Sequence, residues 1–410
     1  MYLINIIRNN MNNIVNAKEF VPAYDLPSIE FQHKFLDDPL YTTIIRTSSF
    51  QRLFRIPFLG ALSYLDEKEI NNTRGDHSIG VALLTYYFCQ LSELPKITER
   101  LFVLSALLHD IHHLPFSHTM ELALKNELPD LSLVYETERI ISSRSRSDVP
   151  SIEDIIQQFN IKKKSLPLFK PRSKRPLVFG ITHNVDTLDG ITRAHSILFT
   201  PDAQLRRLPT CIMEIISKGN LDGKADMENL DAFWELKNKV YMQGIYDEMK
   251  VLFERIIGYY LFDLCKERGI LGKLTNYTDN DFFQMFPKLY EKIQKLWQLI
   301  KLIYSSSNTA THVLNHEILT DFRDKITSTS NGEVLKFRIT TRQFRINKTK
   351  PIVITRKSSW KQRYIVKPFS TILMLRVDKN IIKNIEDILE YPLLRKRFSN
   401  IAEQADEYLI

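Results

Sequence analysis

Two stretches in the first third of the chain are apolar at almost every position. They span residues 77–91 (HSIGVALLTYYFCQL) and 97–111, which ends in RLFVLSALLHDI, and Pro95 and Pro115 follow them. A helix that is apolar on all sides lies in the centre of a domain. The pattern therefore predicts two buried helices, and each of them carries a histidine.

Amphipathic patterns predict further helices. A helical stretch is expected near residues 42–56, a long helix over residues 227–268 and another over residues 281–304. After residue 330, β-branched and aromatic residues become frequent, and the segments EVLKFRITTRQFRI, PIVITRK and RYIVKPFSTILMLRV indicate strands. A closing helix is predicted from Asn380 onwards.

The predicted fold class is mainly α. We expect a helical core over residues 1–330 and a small α+β lobe over residues 331–410. The chain contains only 12 glycines among its 410 residues, which favours helices over tight hairpins.

The composition excludes several classes of protein. With 44% hydrophobic and 25% charged residues the chain is not largely disordered. Its three cysteines are widely spaced, so they predict neither a disulfide framework nor a thiolate zinc site. No apolar run reaches the length of a bilayer, and MYLINIIRNNMNN is too polar for a signal peptide. We expect an intracellular, cytoplasmic protein without a membrane partner.

Positive charge is concentrated in one segment. The chain has 56 basic and 48 acidic residues, a formal net charge of +8. Residues 141–176 predict an exposed basic insertion, and its part over 161–175 contains no acidic residue. Such a segment is either a solvated loop or a surface for phosphate or nucleic acid, and the composition does not decide between the two.

Ionisable residues cluster at the end of the second buried helix. His109 and Asp110 end it, and the segment ALLHDIHHLPFSHTME adds three more histidines. Polar groups at the end of an apolar helix are costly unless they are paired or bind metal, and imidazole with carboxylate suits divalent transition metals. His77 begins the preceding buried helix and can reach the same point, while Asp186 and Asp189 follow on a third predicted helix.

The order of these residues resembles the HD-domain superfamily of metal-dependent phosphohydrolases. The closest likeness is to the deoxynucleoside triphosphate triphosphohydrolases, the bacterial dGTPases and the animal SAM and HD domain-containing dNTPase. FQRLFRIPFLG is similar to the family's FQRL segment, TRGDHSIGV to its R-x-x-H-S-x-G-V motif and LLHDIHHLPFSH to its HD-x-G-H-x-P-F-S-H motif. VDTLDGITR is a weaker match to its D-x-x-D segment. The matches lie within residues 40–265.

The resemblance implies a helical HD-type core and a set of site residues. It implies four ligands of a divalent ion (Mn, Fe, Mg, Co, Ni or Zn), which are His77, His109, Asp110 and Asp186. It implies that His113 and His118 face the substrate phosphates, that Glu121 is the acidic partner of the catalytic histidine, and that Arg74 contacts the triphosphate. It also implies a homo-oligomer.

Three neighbouring polar residues have plainer interpretations. His112 stands where the family usually has glycine, so it is not expected to be a ligand. Asp189 is interpreted as a surface carboxylate or as a support for a ligand. Arg193 follows Asp189 by four residues and is expected to pair with it on one helix face.

The positions that contact the nucleoside in the family are altered here. Phe58 replaces a glutamine that reads the sugar, and Tyr135 replaces a second catalytic histidine. Thr187, Gly190 and Ala194 stand where the family has a phosphate-binding Lys, a stacking Tyr and a sugar-contacting Asp.

Three functions follow from these patterns. The leading one is a metal-dependent phosphohydrolase acting on nucleotides, most specifically a dNTP triphosphohydrolase. The second is an HD-type phosphodiesterase or nuclease that acts on a cyclic nucleotide or on nucleic acid, with segment 161–175 as the contact surface. The third is a catalytically inactive HD-fold binding or scaffold protein.

Overall fold

A computed structural model describes residues 20, 22–65, 72–128, 133–143, 150–170, 179, 184–219, 221, 223–305, 311–314, 333–352, 359, 362–377 and 379–390. In these residues the chain is mainly helical, with one small sheet. The predicted fold class is thereby confirmed.

The helices of the N-terminal two thirds follow one another closely along the chain. They are α1 (Ile29–Leu36), α2 (Pro39–Ile45), α3 (Ser48–Gln51), α4 (Arg74–Leu91), α5 (Lys96–Leu108), α6 (Ser117–Glu127), α7 (Leu133–Ser142), α8 (Ile152–Gln158), α9 (Val185–Leu198), α10 (Ala203–Arg206) and α11 (Leu208–Lys218). Short 3-10 turns cover Arg52–Arg55 and Gly60–Tyr64.

The remaining helices and the sheet complete the described chain. The helices are α12 (Lys224–Lys239), α13 (Glu248–Glu267), α14 (Asp279–Met285), α15 (Leu289–Ser305) and α16 (Lys379–Leu389), and the strands are β1 (Thr311–Leu314), β2 (Glu333–Ile346) and β3 (Tyr364–Val377). The sheet is antiparallel with the order β1-β3-β2, and β2 and β3 pair from Glu333 opposite Val377 to Ile346 opposite Tyr364.

The two apolar stretches form the buried helices α4 and α5, which pack against each other. Helix α4 begins one turn earlier than the apolar pattern, because the Thr73 side chain accepts from the backbone N–H of Asp76 and the Asp76 carboxylate accepts from that of Thr73. Helix α5 ends at Leu108, so His109 and Asp110 follow its last turn instead of lying within it.

Two predicted long helices are each broken once. The helix expected over 227–268 is divided into α12 and α13 by a π-helical turn over Val240–Ile245, and the Asp247 side chain caps α13. The helix expected over 281–304 is divided into α14 and α15 around Pro287, which has no N–H to donate and disfavours a continuous helix. Both predictions of continuous helices were wrong.

Apolar side chains form two cores. The first surrounds α4, α5, α9 and α11, and the second surrounds α6, α13 and α15. Residues from the C-terminal part enter both cores, since Tyr364 belongs to the first and Ile385 to the second. The boundary at residue 330 stays a prediction.

The predicted strands over residues 333–346 and 363–377 correspond to β2 and β3, and the first part of the predicted closing helix corresponds to α16, while β1 was not predicted. Residues 391–410 of the predicted closing helix lie outside the described residues. Residues 353–357 of the segment PIVITRK lie outside the described residues.

The predicted basic insertion is not simply an exposed loop. Its described part contains α8, and Ile155, Ile161 and Leu166 are buried in the first core. Lys162 and Lys164 are exposed. The stretches 144–149 and 171–178 lie outside the described residues.

Helices α4 and α9 pack closely against each other at Gly80. A Cβ atom at Gly80 would lie 2.0 Å from Oδ1 of Asp189, whereas one at Gly190, on the facing helix, would meet its nearest neighbour at 3.6 Å. Only the first distance is impossible for two non-bonded atoms, so the glycine at position 80 is required by packing.

We predict that Gly80→Ala lowers the free energy of unfolding by about 1–3 kcal/mol, because the added methyl group displaces the Asp189 carboxylate. Gly190→Ala is the matched control, and it should leave stability unchanged or raise it by up to about 1 kcal/mol through helix propensity. Urea unfolding of both variants tests this. Equal stabilities for the two would contradict the assigned packing.

Candidate metal centre

Three elements bring the four predicted ligands together. His77 lies in the first turn of α4, His109 and Asp110 directly follow α5, and Asp186 lies in the first turn of α9. Their convergence follows from packing, because α4 contacts both α5 and α9. The Asn184 side chain caps α9 by accepting from the Asp186 backbone N–H, which fixes the start of this helix.

The donor atoms of His77, His109 and Asp186 have the spacing of a shared ion, and Asp110 lies beside the two imidazoles. Nε2 of His77 lies 3.1 Å from Oδ1 of Asp186 and 3.3 Å from Nε2 of His109. Asp110 approaches both imidazoles, with 3.3 Å to Nε2 of His109 and 3.6 Å to Nε2 of His77. Ligands bound at about 2.1 Å from one ion are separated by roughly 3–3.5 Å. The residues therefore fit a divalent ion held by nitrogen and oxygen, and its identity is left open.

A buried carboxylate orients the first imidazole. Oδ2 of Asp189 lies 2.6 Å from Nδ1 of His77, and the guanidinium of Arg193 donates to both oxygens of Asp189. With Nδ1–H donating to Asp189, Nε2 of His77 carries the lone pair that faces the centre. Asp189 is fully buried, so it supports a ligand and is not a surface residue. Its predicted pairing with Arg193 is confirmed.

The second imidazole is oriented by the backbone. Nδ1 of His109 donates to the carbonyl of Ala106 at 2.7 Å, which leaves Nε2 facing the centre. Burial disfavours its charged form, but the carboxylates of Asp110 and Asp186 outweigh burial and raise the pKa of His109 to about 9. In the metal-free protein the His109 imidazole therefore holds a proton at neutral pH. Its positive charge compensates the neighbouring carboxylates, as a bound cation would.

The candidate metal centre is accessible to solvent at Asp186. Its side chain is 47% exposed, whereas the His77 side chain is 1% exposed. Although partial burial opposes ionisation, the neighbouring His109 imidazolium keeps the pKa of Asp186 below its usual range. A small anionic ligand can thus reach the ion position from the side of Asp186.

A second group of ionisable side chains lies next to the first. Nε2 of His113 is 3.1 Å from Oδ2 of Asp110, and its Nδ1 is 2.7 Å from Oε1 of Glu121. Nδ1 of His118 lies 3.2 Å from Oε2 of Glu121, and the His118 side chain is 65% exposed. The donor atoms of His113, His118 and Glu121 lie within 4.8 Å of one another.

Within this group the two histidines have different surroundings. Both ring nitrogens of His113 face carboxylates, and the residue is buried. His118 is held on one side only, so its Nε2 is directed away from Glu121. Burial alone would raise the pKa of Glu121, but the neighbouring His113 and His118 keep it well below the usual range.

Arg74 points inward in this structure. It is buried, and its guanidinium donates to Oδ2 of Asp110 at 3.1 Å and to the carbonyl of Phe58 at 2.9 Å. The Phe58 ring lies against the guanidinium and against the His77 ring, at 4.7 and 4.9 Å. Arg74 thus compensates the Asp110 carboxylate, and its contact with a triphosphate stays a prediction.

The remaining singled-out residues lie around the two groups. His112 accepts from the Thr137 hydroxyl at 2.9 Å, and burial together with the neighbouring His113 lowers its pKa to about 4, so it is neutral. Thr187 and Gly190 are half-buried on α9, and Ala194 is buried. The side chain of Tyr135 lies outside the described residues.

The comparisons with known proteins identify the class of domain. Residues 74–172 match the HD domain family. The chain therefore contains an HD domain, and His77, His109 and Asp110 lie inside the match while Asp186 lies beyond it.

Curated relatives match over short stretches. The uncharacterized protein MJ1154 of Methanocaldococcus jannaschii is 42% identical over 79 residues, and the uncharacterized protein YdhJ of Bacillus subtilis is 33% identical over 93 residues. These alignments cover 19% and 23% of this chain and 17% and 26% of those proteins, so the chain spans about a quarter of these relatives or less.

A solved structure shares the fold more widely. The crystal structure of a hypothetical protein from Aquifex aeolicus matches with a TM-score of 0.57 and 18% identity, over 86% of this chain and 98% of that one. Among the described residues we find no helix that is both long and apolar enough to cross a membrane.

We predict that Asp189→Asn weakens binding of a divalent ion by roughly 10–100-fold, because the substitution disturbs the tautomer and orientation of His77. Titration of the metal-free protein with Mn²⁺ or Zn²⁺ by calorimetry measures the affinity. Asp202→Asn makes the same chemical change at the cap of α10 and should bind as the wild type does. Wild-type affinity in Asp189→Asn would exclude the assigned support.

The pKa of His109 predicts how ion binding depends on pH. Below pH about 9 the imidazole is protonated in the metal-free protein, so the ion must displace this proton. The apparent affinity should therefore rise with pH through neutrality and level off above about 9. Calorimetry in two buffers of different ionisation enthalpy should show about one proton released from this group at pH 7. Release that does not change between pH 7 and 10 would contradict the assignment.

Proposed function

We propose that the protein is an HD-type metal-dependent phosphohydrolase acting on nucleotides, with deoxynucleoside triphosphates as the first candidate substrates. One observation carries the proposal. His77, His109 and Asp186 have the spacing of a shared ion, and Asp110 lies beside both imidazoles. Through His113 this group adjoins Glu121, which holds the imidazole of the solvent-facing His118. A Lewis-acid position and a proton carrier in neighbouring groups of side chains are what hydrolysis of a phosphate ester requires.

The bound ion would be held by His77, His109, Asp110 and Asp186. There it would polarise a phosphoryl oxygen and lower the pKa of a water molecule. The side chains of this chain carry the remaining chemistry. Glu121 holds Nδ1 of His118, so that Nε2 can give a proton to the departing oxygen. The buried His113 lies between Asp110 and Glu121. It thereby contacts one carboxylate of the metal centre and the carboxylate that holds His118.

For a deoxynucleoside triphosphate, water would attack the α-phosphorus. The bond to the 5′ oxygen breaks, this oxygen takes up a proton, and the products are a nucleoside and tripolyphosphate. The resemblance to dNTP triphosphohydrolases supports this substrate, and the net charge of +8 suits a polyanion. A homo-oligomeric state, as in the resembled family, is part of the proposal.

The altered positions suggest weak discrimination of the nucleoside. Phe58 is packed between Arg74 and His77, and Ala194 is buried, so neither offers a hydrogen bond to a sugar. We therefore include in the proposal that the phosphates, and not the sugar, provide most of the recognition.

A phosphodiesterase or nuclease with the same centre is the second candidate. The exposed Lys162 and Lys164 in the basic segment 161–175 favour it, because lysines of this kind contact a nucleic-acid backbone. Binding to single-stranded nucleic acid that weakens steeply with salt, together with its cleavage, would distinguish this candidate.

The test is hydrolysis of a panel that includes dNTPs, ribonucleotides, cyclic nucleotides and single-stranded nucleic acid, with Mn²⁺ added. We expect tripolyphosphate or pyrophosphate from nucleotides, and a loss of roughly 10³-fold or more in the double variant His109→Ala, Asp110→Ala, since the ion and its water are removed together. Asp202→Asn serves as the unaffected control. No turnover of any nucleotide by the wild-type protein would refute the proposal.

A further inference from the structure

The segment that carries His113 and leads to His118 ends in an unusual backbone turn. Phe116 and Ser117, the two residues before His118, both have left-handed conformations, with φ of 56° and 48°. Residues with side chains rarely adopt this region, and two in succession persist only where surrounding contacts hold them. The position of His118 therefore depends on what fixes this turn.

A carboxylate distant in sequence contacts this turn directly. Asp279 is fully buried, and its Oδ1 accepts the backbone N–H of Phe116 at 2.8 Å. Its Oδ2 accepts the hydroxyl of Tyr64 at 2.9 Å. The contact joins residues that are 163 positions apart.

The other end of the same loop is tied to the same segment. Arg52 donates to the carbonyl of Ile111 at 2.9 Å and to the carbonyl of Tyr277 at 3.2 Å. Residues 277–279 are thus connected to the start of the loop through Arg52 and to its end through Asp279. Both side chains lie outside the HD domain match at 74–172.

Asp279 is not needed to cap its own helix. The Thr278 side chain accepts from the backbone N–H of Asp281, and the Asp281 carboxylate accepts from that of Thr278, which completes the cap of α14. The carboxylate of Asp279 is therefore available for the Phe116 turn. Burial raises the pKa of Asp279 to about 7, so its placement in the interior is unfavourable unless its contacts compensate.

The remaining sides of the turn are closely packed. Gly60 has φ of 60°, and a Cβ atom there would lie 2.3 Å from the carbonyl oxygen of Phe116. The hydroxyl of Thr119 accepts the N–H of Ala61 at 3.1 Å and donates to Glu254 at 2.9 Å. With these sides fixed, the turn has little room for an alternative arrangement.

We propose that Asp279, assisted by Arg52, is a positioning residue that holds the Phe116–Ser117 turn and thereby places His118 beside the metal centre. The inference rests on the proposed function, since it assigns Asp279 to the geometry of the same site. It also implies that the matched HD domain requires segments on both sides of it to complete the site.

The variants Asp279→Ala, Asp279→Asn and Tyr64→Phe separate positioning from stability. Asp279→Ala removes the acceptor for Phe116, and kcat should fall by roughly tenfold to a hundredfold, the scale expected for a misplaced catalytic group, with KM and bound metal little changed. Asp279→Asn keeps one oxygen for Phe116 and should restore most of kcat. Tyr64→Phe removes only the bond at Oδ2 and should retain kcat.

Hydrogen exchange of the Phe116 amide gives a readout that does not depend on activity. In the wild-type protein this amide should exchange as slowly as the amides of the buried helices. It should exchange faster in Asp279→Ala, and in Tyr64→Phe it should exchange as in the wild type. A rapidly exchanging Phe116 amide in the wild type would overturn the inference even if no variant folds. Equal losses of kcat in Asp279→Ala and Tyr64→Phe would overturn it too.

If the wild-type protein hydrolyses no nucleotide but its Phe116 amide exchanges slowly, the proposed function is refuted while the contact between Asp279 and Phe116 is supported. The two proposals can therefore fail separately.

Discussion

The structure depends on the close approach of two carboxylates and two imidazoles from three separate elements. Asp186 lies 3.1 Å from His77, and Asp110 lies 3.3 Å from His109. Negative charges brought together away from bulk water need a positive partner. In the metal-free protein the Arg74 guanidinium compensates Asp110 and the protonated His109 adds a second positive charge, whose place a divalent ion can take. The packing of α4 against α5 and α9 is what enforces this approach.

From this centre, charges of alternating sign extend into the interior. Behind His77 the buried Asp189 is paired with Arg193, and behind Asp110 lies the buried Arg74. Breaking a pair of this kind leaves an uncompensated buried charge, which is strongly destabilising. The network therefore keeps the donor atoms aimed at one point while it satisfies the charges around them.

Local sequence patterns predicted the parts of the fold that local physics determines. The apolar stretches became α4 and α5, and the β-rich segments became β2 and β3, since burial and propensity act over a few residues. The breaks between α12 and α13 and between α14 and α15 were missed, although Pro287 in the second was a visible signal. The first break contains no proline, and Gly244 there packs tightly against Leu198 of α9, a tertiary contact that no local pattern contains.

In the candidate site, too, some features could be predicted from the sequence and others depend on tertiary contacts. The motifs around His77, His109, Asp110 and Asp186 predicted a shared site through their resemblance to the HD-domain superfamily, and the structure brings these side chains together. The inward orientation of Arg74 and the role of Asp279 depend on contacts with Phe58 and Phe116. The second contact spans 163 positions of sequence, and no spacing rule covers it.

Anomalous diffraction from crystals grown with Mn²⁺ or Zn²⁺ tests the central claim most directly. The account predicts one strong peak about 2.1 Å from Nε2 of His77 and Nε2 of His109, with oxygens of Asp110 and Asp186 completing the first set of ligands. A fully loaded crystal without a peak among these four side chains, or with the ion bound elsewhere in the chain, would contradict it.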